Sequence, residues 1–150
     1  MKRFFFDNLL EWKGNPDRLS LLVRGARQVG KTYLIRELGK TFTNFLEINF
    51  EMDSRPAKFF DDSLDPAIII EKLSLLYGTK IVPGKTLLFF DEIQSCPNAL
   101  RSLRFFHEKT PELHVISAGS LLEFAIAQIP SFGVGRIESL FLFPMTFFEF

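Results

Sequence analysis

A chain of 150 residues is long enough for one domain with a buried core. Hydrophobic residues at 47% and charged residues at 24% exclude a disordered polymer, and 18 basic against 18 acidic side chains leave no bulk charge to attract nucleic acid or an acidic membrane. The lone cysteine, Cys96, excludes an internal disulfide and fits a reducing, cytoplasmic setting.

The start, Met1-Lys2-Arg3-Phe4-Phe5-Phe6, briefly resembles a signal peptide, but Asp7, Asn8 and Glu11 interrupt the apolar run. Residues 3–13 instead predict a short amphipathic helix with Phe5, Leu9 and Trp12 on one face, closed by Gly14-Asn15-Pro16. Leu19 to Val23 predicts a buried strand. A glycine-rich turn follows, then a helix over 30–41 with Leu34, Ile35 and Leu38 as its apolar face. Residues 45–50 predict the second strand. Asp53 or Ser54 is expected to cap a short helix holding Phe59 and Phe60. Asp65-Pro66 starts a clearer helix, with Asp as cap and Pro at the first helical position, and Gly78 stops it. Pro83-Gly84 is a turn.

Thr86 to Phe90 predicts the third strand, which ends in Asp91-Glu92. Residues 97–109 read as a helix and 113–117 as the fourth strand. A helix over 120–128 follows, with Ser120 as cap and Glu123 at the third helical position, and residues 137–143 are strand-like. Strands alternate with helices throughout, which predicts an α/β domain with a largely parallel sheet. The 19 phenylalanines are expected to fill its core. Thr146-Phe147-Phe148-Glu149 has the pattern of a capping box, so a further helix and a missing C-terminal part are expected. No stretch is long and apolar enough for a membrane span.

Gly25-Ala26-Arg27-Gln28-Val29-Gly30-Lys31-Thr32 fits G-x-x-x-x-G-K-[ST] at every fixed position, between a predicted strand and a predicted helix. Glycines let the backbone turn tightly so that successive N–H groups face phosphate oxygens, and the helix start adds a positive dipole end. Lys31 reaches the β- and γ-phosphates, and the Thr32 hydroxyl faces Mg2+. Tyr33, next in the chain, is included in the nucleotide-contacting segment. Asp91 stands where an apolar strand delivers a carboxylate to the ligand-binding edge of the sheet, so it is the second expected Mg2+ ligand. Glu92 follows, placed to orient or deprotonate an attacking water.

These residues resemble a known group. Gly25 to Thr32 and Asp91-Glu92-Ile93-Gln94 look like the Walker A and Walker B elements of AAA-type P-loop ATPases, in which the catalytic glutamate adjoins the Walker B aspartate. The resemblance implies a P-loop NTPase fold, a three-layer αβα sandwich with a mainly parallel five-stranded sheet of order 5-1-4-3-2. Together with Ala118-Gly119-Ser120 and Gly135-Arg136 before a Leu-Phe-Pro-rich stretch, the motifs resemble prokaryotic ATPases that usually carry a C-terminal domain of unknown function. A lid and that domain are then expected beyond residues 1–150. Homo-oligomers and DNA enter as partners through this analogy alone.

Ser120 then has two readings, a γ-phosphate sensor or a helix cap. Arg136 either reaches a phosphate or is a solvated loop arginine. Arg101 and Arg104, one helical turn apart, read as a solvated face before an arginine finger. Gln94 is a candidate for holding the water or reading the γ-phosphate. Arg27 and Gln28 occupy free positions of the loop. His107 and His114 lack partners at metal-ligand spacing, and Cys96 reads as a small buried residue. Mg2+-dependent ATP hydrolysis coupled to conformational change is the expected function. A nucleotide-regulated interaction module and a small-molecule kinase are the competing ones. Adenine is preferred to guanine because no Asn-Lys-x-Asp run is present.

Overall fold

The computed structural model describes residues 2–25, 30–120, 122–129 and 137–141. In chain order these form α1 (Lys2–Gly14), β1 (Ser20–Arg24), α2 (Lys31–Gly39), β2 (Asn44–Asn49), α3 (Ala57–Asp62), α4 (Pro66–Tyr77), β3 (Thr86–Asp91), a 3-10 turn (Ile93–Ser95), α5 (Pro97–Lys109), β4 (His114–Gly119), α6 (Leu122–Ala127) and β5 (Ile137–Phe141). The strands pair in parallel in the order β2-β3-β4-β1-β5, the order that the family resemblance implies. Parallel strands need crossovers, and the helices that supply them cover both faces of the sheet.

Alternation along the strands builds the two interfaces. Leu21, Val23, Leu87, Phe89, Ile116 and Ala118 face α1 and α2, where Phe5, Leu9, Trp12, Leu34, Ile35 and Leu38 meet them. Leu22, Leu88, Phe90 and Val115 face the other way, against Phe60, Ile69, Leu73, Leu103 and Phe106. Phenylalanine does fill this second interface. Phe60 and Phe90 meet edge to face at 5.5 Å, Phe50 lies 5.5 Å from Phe60 and 5.6 Å from Phe90, and Phe106 lies 6.0 Å from Phe90. β3 and β4 are buried along their whole length, as central strands covered on both faces must be.

Local chemistry explains most element ends and some departures. The Asp65 carboxylate accepts from the Ala67 N–H at 3.1 Å, Pro66 opens α4, and Gly78 closes it. The expected cap at Asp53 or Ser54 is not formed. α3 starts at Ala57 with Pro56 before it. Asp53 serves its own turn instead, accepting from the Arg55 N–H at 3.1 Å, the Arg55 guanidinium at 2.8 and 2.9 Å and the Tyr77 hydroxyl at 2.9 Å. These donors hold the Asp53 carboxyl far below its ordinary range, while burial and the Asp53 charge push Tyr77 up to about 12. Helix α2 ends at Gly39, two residues short of expectation. Cys96 is buried, as expected. Arg101 and Arg104 stay on the exposed face of α5, bonded to Asn98 at 3.1 Å and to Glu108 at 3.2 Å. The capping-box pattern at 146–149 and the last two residues of the expected strand over 137–143 lie outside the described residues.

His114 has a structural setting that spacing could not reveal. Its ring lies edge-on between Trp12, at 5.5 Å, and Phe42, at 4.9 Å, and Nε2 donates to the Lys13 carbonyl at 3.0 Å. Burial depresses its pKa below 6.5; the Lys13 carbonyl works against this, and the charges of Arg18 and Lys13 add to it. Below the unfolded value the unfolded chain takes up a proton that the folded chain resists. The contribution is therefore complete above pH 6.5 and declines as pH falls toward the folded value. The wild-type melting temperature should drop more than that of His114→Phe between about pH 7.5 and about pH 5.5. Equal pH dependence in the two proteins would remove His114 as the cause.

Candidate functional site

The chemistry-bearing residues gather at the C-terminal ends of β1, β3 and β4. Register brings these tips to one level: Arg24 pairs with Gly119, and Phe90 pairs with Ser117. The sheet order sets β4 between β1, which leads into the loop 25–30, and β3, which delivers Asp91. The tip of β4, Gly119-Ser120, therefore lies between the two motifs.

Gly30 caps α2 with φ 87° and ψ 16°, a left-handed conformation that explains glycine at this position. The next residue, Lys31, opens the helix and is 7% exposed. Its ammonium donates to the Gly25 carbonyl at 2.8 Å and to the Gly119 carbonyl at 3.1 Å. It is thus held over the loop mouth between β1 and β4. The positive end of the α2 dipole adds potential of the same sign at this place.

One residue on, the Thr32 hydroxyl donates to Asp91 Oδ2 at 3.1 Å. This is the decisive distance: residues 59 positions apart in sequence bring a hydroxyl and a carboxylate into contact. Burial pushes the Asp91 carboxyl up from its ordinary range. The Glu92 N–H, at 2.9 Å from Oδ1, and the Thr32 hydroxyl hold it down, and the charges of Glu92 and Glu47 push it up further. A buried carboxylate beside a hydroxyl is a hard oxygen pair of the kind Mg2+ takes, and a cation there offsets the cost of burying the charge. On the outer side of α2, Arg36 makes a two-pronged bond to Glu47 of β2 at 2.7 and 2.8 Å, which ties the helix to the sheet.

Glu92 leaves β3 in a left-handed conformation, φ 52° and ψ 45°, unusual for a residue with a side chain. The 3-10 turn that follows brings Gln94 back, and its Nε2 donates to Glu92 Oε2 at 2.9 Å. Ser120 is buried, and among the described residues its Oγ has no hydrogen-bond partner. It makes no capping bond to a described residue; α6 is described from Leu122, and Glu123, expected in a capping box, faces Arg24 at 4.0 Å. Burial without a partner instead leaves Ser120 with an unused hydroxyl at the β4 tip.

Lys31, Thr32, Asp91, Glu92, Gln94 and Ser120 thus share one end of the sheet. Tyr33 stands on the first turn of α2 and is 57% exposed. Ala26, Arg27, Gln28, Val29 and Arg136 lie outside the described residues. Two participants escaped sequence reasoning: the Gly119 carbonyl as an acceptor for Lys31, and the Arg36–Glu47 brace. Neither carries a sequence signal, because each depends on which strands are neighbours.

The sequence model of the AAA domain family matches residues 17–150. No curated protein matches the chain. Among solved structures, the Orc1 protein of Aeropyrum pernix, determined in complex with DNA, is similar with a TM-score of 0.61 at 15% sequence identity, over 97% of this chain and 46% of that one. The chain thus spans less than half the length of that structure, and likeness at this identity concerns the fold.

Proposed function

We propose, from the premise that this chain belongs to the AAA domain family, that it binds ATP with Mg2+ and hydrolyses it. The observation that carries the reading is the 3.1 Å contact between Thr32 and Asp91 beside the buried Lys31 ammonium. A cation, two oxygen ligands and a helix start converge at one sheet edge, which is the set a triphosphate and its metal require.

The roles divide as follows. Backbone amides of Gly25, Ala26, Arg27, Gln28, Val29 and Gly30, with Tyr33 at the helix start, take the nucleotide phosphates, and Lys31 adds a positive charge to them. Thr32 and Asp91 hold Mg2+, which supplies charge neutralisation on the transferred phosphoryl group when bound. Glu92 orients the attacking water and accepts its proton. Ser120 offers its unused hydroxyl toward the γ-phosphate, and Arg136 adds charge there. Loss of the γ-phosphate then releases a closed state of the domain. A C-terminal domain, a second copy of the chain and DNA are proposed partners. DNA rests on likeness to a fold solved on DNA, which is weak ground for function. A cytoplasmic setting follows from the single buried cysteine. Among the described residues, no helix is long and apolar enough to cross a membrane.

The test is calorimetric titration with ATP, ADP and GTP in Mg2+, paired with measurement of released phosphate. The reading expects saturable ATP binding that weakens when the metal is chelated, weaker GTP binding, and steady phosphate release. Equal failure to bind all three nucleotides would refute it. Binding without release would leave a nucleotide-regulated interaction module instead.

A further inference from the structure

We infer that Gln94 is a positioning residue that fixes the orientation of the Glu92 carboxylate, and that Gly119 is a glycine to make room for it; the inference rests on the ATPase reading above. Three observations meet here. Gln94 Nε2 donates to Glu92 Oε2 at 2.9 Å. Its Oε1 is buried, has no hydrogen-bond partner among the described residues, and lies where a β-carbon on residue 119 would collide with it. Gly119 is absent from the positive-φ residues, so its backbone conformation suits alanine, and the space alone explains the glycine.

The chemistry explains glutamine at this position. A glutamine amide carries a donor and an acceptor on one rigid plane, whereas a carboxylate only accepts. Gln94 can therefore donate to Glu92 while its oxygen rests on the β4 tip, one residue from Ser120 and at the strand whose Gly119 carbonyl receives Lys31. Glu92 stands in an uncommon left-handed conformation, and the Gln94 amide fixes the carboxylate that this turn presents. The 3-10 turn at 93–95 exists in the right place to deliver the amide, two residues beyond the group that it holds. A buried acceptor left unmet beside a reactive group is characteristic of a site kept for function rather than for stability.

Three variants of the full chain test this, with ATP turnover as the readout: Gln94→Ala, Gln94→Glu and Gly119→Ala, each alone, plus the Gly119→Ala/Gln94→Ala pair. Gln94→Glu keeps the volume and removes the donor. Both Gln94 variants should lower kcat by roughly 10- to 100-fold, the scale of a misplaced catalytic group, with KM for ATP within about twofold of wild type. Gly119→Ala should show a similar loss because its β-carbon expels Gln94. The double variant should be about as slow as Gln94→Ala alone, since the main clash is gone and only the end of the Leu122 side chain must still give slightly. Should Gly119→Ala fail to fold, the two Gln94 variants decide the matter. A Gln94→Glu kcat within about twofold of wild type, a loss confined to KM, or multiplicative losses in the double variant would overturn the inference. A parallel Glu92→Gln control separates the two levels. If it abolishes turnover while the Gln94 variants work normally, only the role of Gln94 is wrong. If it turns over like wild type, Glu92 is not the group that acts on the water and this inference fails while the ATPase reading stands; absence of phosphate release from the wild-type chain would instead sink the ATPase reading itself.

Discussion

Lys31→Ala should weaken ATP binding at least about 30-fold, because removing one member of a buried charged pair costs about 2–5 kcal/mol. The ammonium is buried and already aligned by two carbonyls, so little ordering cost offsets its attraction for a triphosphate. Truncation also leaves the Gly25 and Gly119 carbonyls without that donor, a destabilisation of about 1–3 kcal/mol if water does not reach them. A Lys31→Met variant, which keeps the stem volume but has no donor either, should show both losses, so that neither is assigned to packing of the stem. Titration calorimetry on the three proteins checks this. Undiminished ATP affinity in Lys31→Ala would mean that the ammonium over the loop mouth does not meet phosphate.

Glu92→Gln should leave ATP affinity within a few-fold of wild type and lower phosphate release by roughly 100- to 10,000-fold, the range for loss of a general base. The substitution is nearly isosteric, so the left-handed turn at residue 92 and the N–H bond to Asp91 are retained. The neutral amide keeps the shape but cannot take a proton from water, which makes kcat the sensitive quantity. Single-turnover measurement with saturating ATP is the right check, since slow product release would otherwise mask the chemical step. Unchanged release in the variant would assign the water to another group at the β4 tip, Ser120 being the nearest by sequence.

Much of the architecture was legible because its signals are local. Pro97 marked the start of α5 and Asp65-Pro66 the start of α4, since caps and proline act through the backbone at their own positions. The runs Leu21-Leu22-Val23 and Leu87 to Phe90 announced covered strands by being apolar on both faces. Sheet order is not a local property, and residue pattern could not supply it; it came through family resemblance. Asp53 misled because an aspartate serves the nearest donors, here Arg55 and Tyr77, before any helix downstream. In the site, Lys31 and Thr32 were read from the fixed spacing of the glycine-rich motif and Asp91 from its place at the end of an apolar strand, and the structure sets the Thr32 hydroxyl against Asp91. The left-handed turn at Glu92, the return of Gln94 and the Ser120 hydroxyl without a partner among the described residues were not legible, because no residue pattern encodes a single backbone angle or the hydrogen bond that one side chain chooses.

The position of β4 between the strands that carry the two motifs has a consequence for tolerance to change. Neighbouring strands stand about 4.8 Å apart whatever their side chains, so β1 and β3 are about 9.6 Å apart across β4. The span between the loop that follows one and the carboxylate that ends the other is therefore gauged by peptide hydrogen bonds. Substitutions at Leu22, Val115 or Phe90 alter how firmly the sheet is clad without resetting that gauge. Core side chains, the many phenylalanines among them, can therefore be exchanged while the width offered to a ligand stays the same.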